Sequence, residues 1–151
     1  MKPTYKRRRM VQGLMAFTAM ALLPMRLLAA RNVPAFKATA YDNALKALFG
    51  GKSITASDKV TLKVPDIAEN GAVVPATVST TMEGVKSITL LVVENPNPLS
   101  ARFNLTPNVS PAISTRIKMG NSSDVVAAVE TDSGVFTATK NVKVTIGGCG
   151  G

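Results

Sequence analysis

The sequence predicts a mainly β protein, an antiparallel immunoglobulin-like β-sandwich with an N-terminal helix and a flexible C-terminal glycine-rich arm. Three observations predict it. Short segments rich in β-branched residues recur from Val60 to Ile146. Turn-forming residues separate them at intervals of about eight to twelve residues, the spacing of a sandwich. The 151 residues, less a leader, leave one domain of about 120, enough for a single hydrophobic core.

The helix is expected over 34–49. Pro34 suits a first helical turn, Phe36, Ala40, Ala44, Leu45, Leu48 and Phe49 fall near helical spacing, and Gly50-Gly51 supplies a stop. Its apolar face is expected to pack on the body of the protein. The first strand is Val60, Leu62 and Val64 alternating with Thr61 and Lys63, and it ends at Pro65. Further strands are expected over 72–80, 87–94, 101–106, 115–119, 123–130, 135–139 and 141–146. Between them lie Asn70-Gly71, Glu83-Gly84, Asn95-Pro96-Asn97-Pro98, Gly120-Asn121 and Asp132-Ser133-Gly134, all turn chemistry. Neither a tryptophan nor a cysteine pair is present to build an antibody-type core.

Residues 1–30 read as an export signal: the basic stretch Lys6-Arg7-Arg8-Arg9, an apolar run from Gly13 to Leu23, then Pro24 and the small residues Ala29-Ala30. The run is too short to span a bilayer stably, so the protein is not expected to be membrane-embedded. Consecutive arginines before Met10 and Val11 resemble a twin-arginine signal, with a general secretory signal as the alternative. Either route leaves the cytoplasm. The formal charge of +9 arises largely here, because 6 of the 18 basic residues lie in the first 30 positions, which hold no acid. From Arg31 onward 12 basic residues face 9 acidic ones, without a basic run or interleaved aromatics, so nucleic acid is not an expected partner.

The single cysteine stands in Gly147-Gly148-Cys149-Gly150-Gly151. Four glycines remove every neighbouring Cβ, so this arm can enter a narrow channel, and three residues beyond Ile146 reach roughly 10 Å when extended. An oxidising compartment pairs cysteines where it can, yet Cys149 has no intramolecular partner; it stays free, binds another molecule or carries an adduct. A prenylation box needs three following residues, and a lipoprotein cysteine follows the signal directly, so neither fits. With no histidine in the chain, haem attachment through C-x-x-C-H, histidine-containing zinc sites and histidine acid–base catalysis are excluded. No cofactor and no metal are expected.

Ser57 and the pair Ser122-Ser123 are the most loop-like serines, but no base accompanies them, and turn roles explain them better. Asp66 and Glu69 read as solvated carboxylates, and Arg116 and Lys118, alternating with Ile117 and Met119, as the wet face of a strand. No catalytic residue is expected. The domain reads as a carrier whose chemistry is supplied by other proteins.

The terminal Gly147–Gly151 motif on an exported β-rich domain resembles the SoxY family, the sulfur-carrier subunits of the periplasmic sulfur-oxidising (Sox) system. The stretches Asp66–Pro75, Asn95–Pro98 and Ile117–Gly120 resemble that family too, and the likeness covers roughly 41–151. It implies a noncatalytic subunit paired with SoxZ, with sulfur intermediates held covalently on Cys149 and Gly147, Gly148, Gly150 and Gly151 forming its arm. In the family scheme the haem-containing SoxAX conjugates thiosulfate oxidatively to the cysteine. The dimanganese hydrolase SoxB then releases sulfate, and in some organisms the sulfur dehydrogenase SoxCD oxidises the remaining sulfane. Cys149 has no adjacent cation to lower its pKa, so its reactivity should depend on the enzyme that receives it. Without reductant, a Cys149-linked homodimer is expected. Two other readings stand beside this one. A ubiquitin-like carrier using the Gly150-Gly151 carboxylate is disfavoured by export, because its activation needs nucleotide. A structural or adhesion module would use Cys149 for an intermolecular disulfide.

Overall fold

The computed structural model describes residues 32–145. The expected signal over 1–30 and the arm over 147–151 lie outside the described residues. Two short helices, α1 (Val33–Lys37) and α2 (Tyr41–Phe49), lead into nine strands. These are β1 (Ile54–Ala56), β2 (Val60–Lys63), β3 (Ile67–Ala68), β4 (Val74–Thr80), β5 (Ser87–Val92), β6 (Leu99–Asn104), β7 (Ala112–Ile117), β8 (Ser123–Glu130) and β9 (Val135–Val144). A short 3-10 turn, Gly71–Val73, precedes β4.

The strands form the expected sandwich. One sheet runs β1-β9-β8-β5-β6, with β3 also on β9, and the other runs β2-β4-β7. Strand β5 is buried along its whole length and β8 at all but Asp124, because each has cover on both faces. Toward the smaller sheet Ile88, Leu90 and Val92 of β5 and Val125, Ala127 and Val129 of β8 meet Val74, Ala76 and Val78 of β4. Their opposite faces present Leu91, Val126 and Ala128 to Ala35, Ala44 and Phe49 of the helices. The described residues thus stack in three layers, which is why β5 and β8 read as continuous apolar runs while β2, covered on one side, alternates.

Several boundaries differ from expectation. The single helix over 34–49 is two helices, broken where Ala38 and Ala40 are extended (ψ 132° and 142°). The break is held by tertiary bonds that periodicity does not show: the Asn32 amide donates to the Ala47 carbonyl at 2.9 Å, and the Asn97 amide to that of Ala38 at 3.3 Å. The expected strands 135–139 and 141–146 are one strand, since β9 keeps unbroken register with β8 from Val135↔Glu130 to Val142↔Ser123. Lys140 does not interrupt it because its ammonium reaches the edge, donating to the Val64 carbonyl at 2.9 Å. The main pairings are antiparallel as expected, but β1 and β3, which the sequence pattern does not predict, pair with β9 in parallel.

Candidate functional site

The last described residues of β9 lead toward Cys149, and three distant segments meet around them. On one flank β3 runs parallel: the Lys143 amide donates to the Asp66 carbonyl at 2.9 Å, and the Thr145 amide to that of Ala68 at 3.1 Å. On the other flank β8 begins only at Ser123, yet Ser122 Oγ accepts from the Val144 amide at 2.9 Å and extends the ladder past the strand end. Val144 and Thr145 are therefore held from both sides.

A second tier fixes that frame. Gly71 lies so close to its neighbours that a Cβ there would stand 2.4 Å from the Met119 carbonyl oxygen and 3.0 Å from Val144 Cγ1. Its own carbonyl accepts from the Met119 amide at 2.7 Å. Asn95, in the turn after β5, clasps the segment after β7: its Nδ2 donates to the Lys118 carbonyl at 2.7 Å and its Oδ1 accepts from the Gly120 amide at 3.0 Å. The segments Asp66–Pro75, Asn95–Pro98 and Ile117–Gly120, scattered in sequence, thus form one collar at the root of the terminal segment.

The residues singled out in the sequence that fall within 32–145 take structural places. Ser57 is a turn residue whose Oγ accepts from the Lys59 amide at 3.3 Å. Ser123 is buried and accepts from the Glu94 amide at 3.0 Å, while Ser122 belongs to the collar. Asp66 pairs with Lys140 at 2.9 Å, an exposed contact of small energetic consequence. Glu69, Arg116 and Lys118 are exposed, and the alternation with buried Ile117 and Met119 is as expected. Cys149, Gly147, Gly148, Gly150 and Gly151 lie outside the described residues. Among the described residues no group of three His, Cys, Asp or Glu side chains is placed to hold a metal ion. No helix among them is long and apolar enough to cross a membrane.

Sequence patterning does not reveal a buried ionic cluster at the far end of β8. Glu130, 7% exposed, receives hydrogen bonds from Lys52 at 2.5 Å, Arg102 at 2.7 Å and Ser87 at 2.9 Å. Burial alone would raise its pKa, but the bonds from Lys52 and Ser87 and the charge of Arg102 outweigh it and hold the carboxyl below its ordinary range. Arg102 also lies over the Phe49 ring, 5.6 Å from its centroid. Its partners satisfy the carboxylate, so the cluster ties the segment after α2 to the sheet and is not poised for proton transfer. The only sequence signal for it is an acid ending an apolar strand. At the same end, a cleft lined by Met82, Val85, Leu105 and Val109 carries the exposed Lys86–Asp132 ion pair at its rim.

Comparison with known proteins bears on the collar and the segment beyond it. The family described as "Sulfur oxidation protein SoxY" matches residues 45–149, a span that runs from α2 through the collar to Cys149. No curated protein matches. The structure of the sulfur carrier protein SoxY from Chlorobium limicola f thiosulfatophilum superposes with a TM-score of 0.64 at 37% identity, covering 70% of this chain and 96% of that one. An engineered protein aligns at 14% identity with a TM-score of 0.40, over 60% of this chain and 21% of its own.

Proposed function

Since the chain belongs to the SoxY family of sulfur oxidation proteins, we propose that it is a noncatalytic sulfur carrier holding its cargo covalently on Cys149. The observation that carries the reading is the collar: the family match ends at Cys149, and the four residues that lead from Thr145 to that end begin from a backbone clamped on both flanks. Four residues span at most about 14 Å, so Cys149 works close to a fixed origin. The glycines on either side of it present the sulfur with little bulk. This arrangement suits a cargo handed between several enzyme clefts, and the absence of histidine throughout the chain fits a protein that leaves the bond-making to them.

In the proposed cycle the Cys149 thiolate and the terminal sulfur of thiosulfate form an S–S bond, and the two electrons released pass to the haem-containing enzyme SoxAX, giving a cysteine S-thiosulfonate. Water then attacks the sulfonate sulfur at the dimanganese hydrolase SoxB, the S–S bond to that sulfur breaks, and sulfate leaves with two protons. A persulfide remains on Cys149 for the sulfur dehydrogenase SoxCD, where present, to oxidise. SoxZ is the proposed stable partner, and the periplasm, reached through a leader over 1–30, is the proposed compartment.

The test is intact mass of the protein isolated from cells fed thiosulfate, before and after reductant, beside Cys149→Ser. Thiosulfonate or sulfane adducts that reductant removes and that never appear on the variant support the carrier. A bare thiol or a simple disulfide under every condition would instead favour a structural module linked through Cys149.

A further inference from the structure

We infer that Asn70 is a self-modification site gated by the collar: the closed collar keeps the Gly71 nitrogen turned away from the Asn70 carboxamide, and only an open collar lets the two react to give aspartate and isoaspartate. This inference is independent of the carrier reading. Asn70-Gly71 is the single Asn-Gly pair in the chain. Glycine puts no side chain in the way of its own nitrogen, whereas Asn95 and Asn97 precede prolines, whose nitrogens carry no proton to lose. Asn70 is exposed, so water and base reach it.

The chemistry needs neither an oxidant nor another protein. Base removes the proton of the Gly71 amide nitrogen, and the freed electron pair bonds to Asn70 Cγ. The Cγ–Nδ2 bond breaks, and Nδ2 leaves as ammonia with a proton from water. A second water then opens the five-membered ring. Attack at Cγ gives aspartate; attack at the main-chain carbonyl carbon gives isoaspartate, in which the chain runs through Cγ. In sum the carboxamide takes up water and loses ammonia.

The backbone of the closed collar forbids the first step. Ring closure requires the Gly71 nitrogen to eclipse the Cα–Cβ bond of Asn70, whereas a ψ of 101° places it beside the Cα hydrogen, more than a third of a turn away. Three bonds hold that setting. Asn70 Oδ1 accepts from the Ala72 amide at 2.9 Å, the Asn70 carbonyl from the Val73 amide at 3.3 Å, and the Gly71 carbonyl from the Met119 amide at 2.7 Å. The close approach of Gly71 to Met119 and Val144 leaves the peptide little room to swing. The residue pair most open to this reaction is thus placed where packing restrains it.

Isoaspartate does not fit back into the collar. It adds a methylene to the main chain ahead of Gly71, where even an added Cβ would stand 2.4 Å from the Met119 carbonyl oxygen. It also turns the Asn70 carbonyl, the acceptor for the Val73 amide, into a side carboxylate. Each such conversion leaves a lasting record that the collar has opened.

The test incubates the full chain at mildly alkaline pH, folded and in denaturant, and follows isoaspartate by methyl transfer from an isoaspartate-specific methyltransferase and by peptide mapping. The folded chain is expected to convert Asn70 about a hundredfold more slowly than the unfolded chain, in proportion to the small population with the collar open. Asn95→Ala removes the two bonds that clasp Lys118 and Gly120 and should speed conversion in the folded state about tenfold. Glu130→Gln weakens the opposite end of the sheet and should leave the rate unchanged. Should Asn95→Ala not fold, Ser122→Ala, which removes the bond to the Val144 amide, takes its place. Equal rates in the folded and unfolded chains overturn the gate, as does a collar variant no faster than wild type. Equal acceleration by Glu130→Gln also overturns it, assigning the reaction to global unfolding. Isoaspartate that persists in Asn70→Ser overturns the site itself. The fraction carrying isoaspartate should unfold at lower temperature than the rest, and an unchanged Tm would overturn its exclusion from the collar.

Discussion

Replacing Gly71 with alanine tests whether the collar is a rigid frame. The constraint there is space, since its φ is one that other residues adopt readily. The added Cβ must open a 2.4 Å approach to the Met119 carbonyl oxygen to at least 3.0 Å, and it also meets Val144 Cγ1 at 3.0 Å. The carbonyl cannot swing aside cheaply, because the Met119 amide in the same segment is bonded to the Gly71 carbonyl at 2.7 Å and Asn95 bonds the Lys118 carbonyl and the Gly120 amide on either side. Overpacking of this kind costs about 1–3 kcal/mol. For a domain of this size that lowers Tm by roughly 5–15 °C. The assay is thermal unfolding of Gly71→Ala beside Gly51→Ala and Gly120→Ala, where a Cβ meets nothing within 4 Å and only the Asn95 side chain at 3.8 Å, respectively. Both controls should stay within about 0.5 kcal/mol of wild type. Gly71→Ala unfolding with the controls would refute the close-packed collar.

The remaining predictions concern charge and the thiol. Glu130 has a folded-state pKa below its ordinary value, so its cluster contributes stability above the unfolded carboxyl pKa of about 4.3 and loses it as pH falls through the lower folded value. Unfolding free energy measured from pH 7 down to acid should therefore fall more steeply for wild type than for Glu130→Gln. Glu130→Ala should cost about 2–4 kcal/mol at pH 7, less than a fully enclosed pair because Lys52 remains half in water. Gly148→Trp or Gly150→Trp should slow turnover by the sulfur enzymes at unchanged Tm, and equal rates would count against entry of the arm into a narrow channel. Without reductant, nonreducing electrophoresis should show a dimer that Cys149→Ser abolishes.

Much of the sandwich was legible because its strands carry the local signals of their surroundings. β8 occupies the expected 123–130, since turn chemistry at Gly120-Asn121 and at Asp132-Ser133-Gly134 brackets an unbroken apolar run. The helix break at Ala38–Ala40 was hidden, because alanine is a strong helix former whose local preference is overridden there, and the deciding bonds come from Asn32 and Asn97. β1 and β3, with three and two residues, are too short to show a period and exist only by lying along β9. The collar was half legible. Its three segments stood out one by one through their turn residues, but that Asn95 clasps Gly120, or that Ser122 caps β9, depends on contacts between positions 25 and 22 apart. The Glu130 cluster draws its members from four separate parts of the chain and leaves almost no trace in any one of them.

The clamping of β9 on both flanks also decides how the domain answers a pull. A pull applied beyond Thr145 loads β9 from its C-terminal end, along its own axis. The ladder to β8 lies across that direction, and the bonds from β3 and Ser122 at the loaded end share the force with it. They must slide together, whereas an edge strand tugged sideways would open one bond at a time. The domain is accordingly built to keep its last strand in place under a load applied along it.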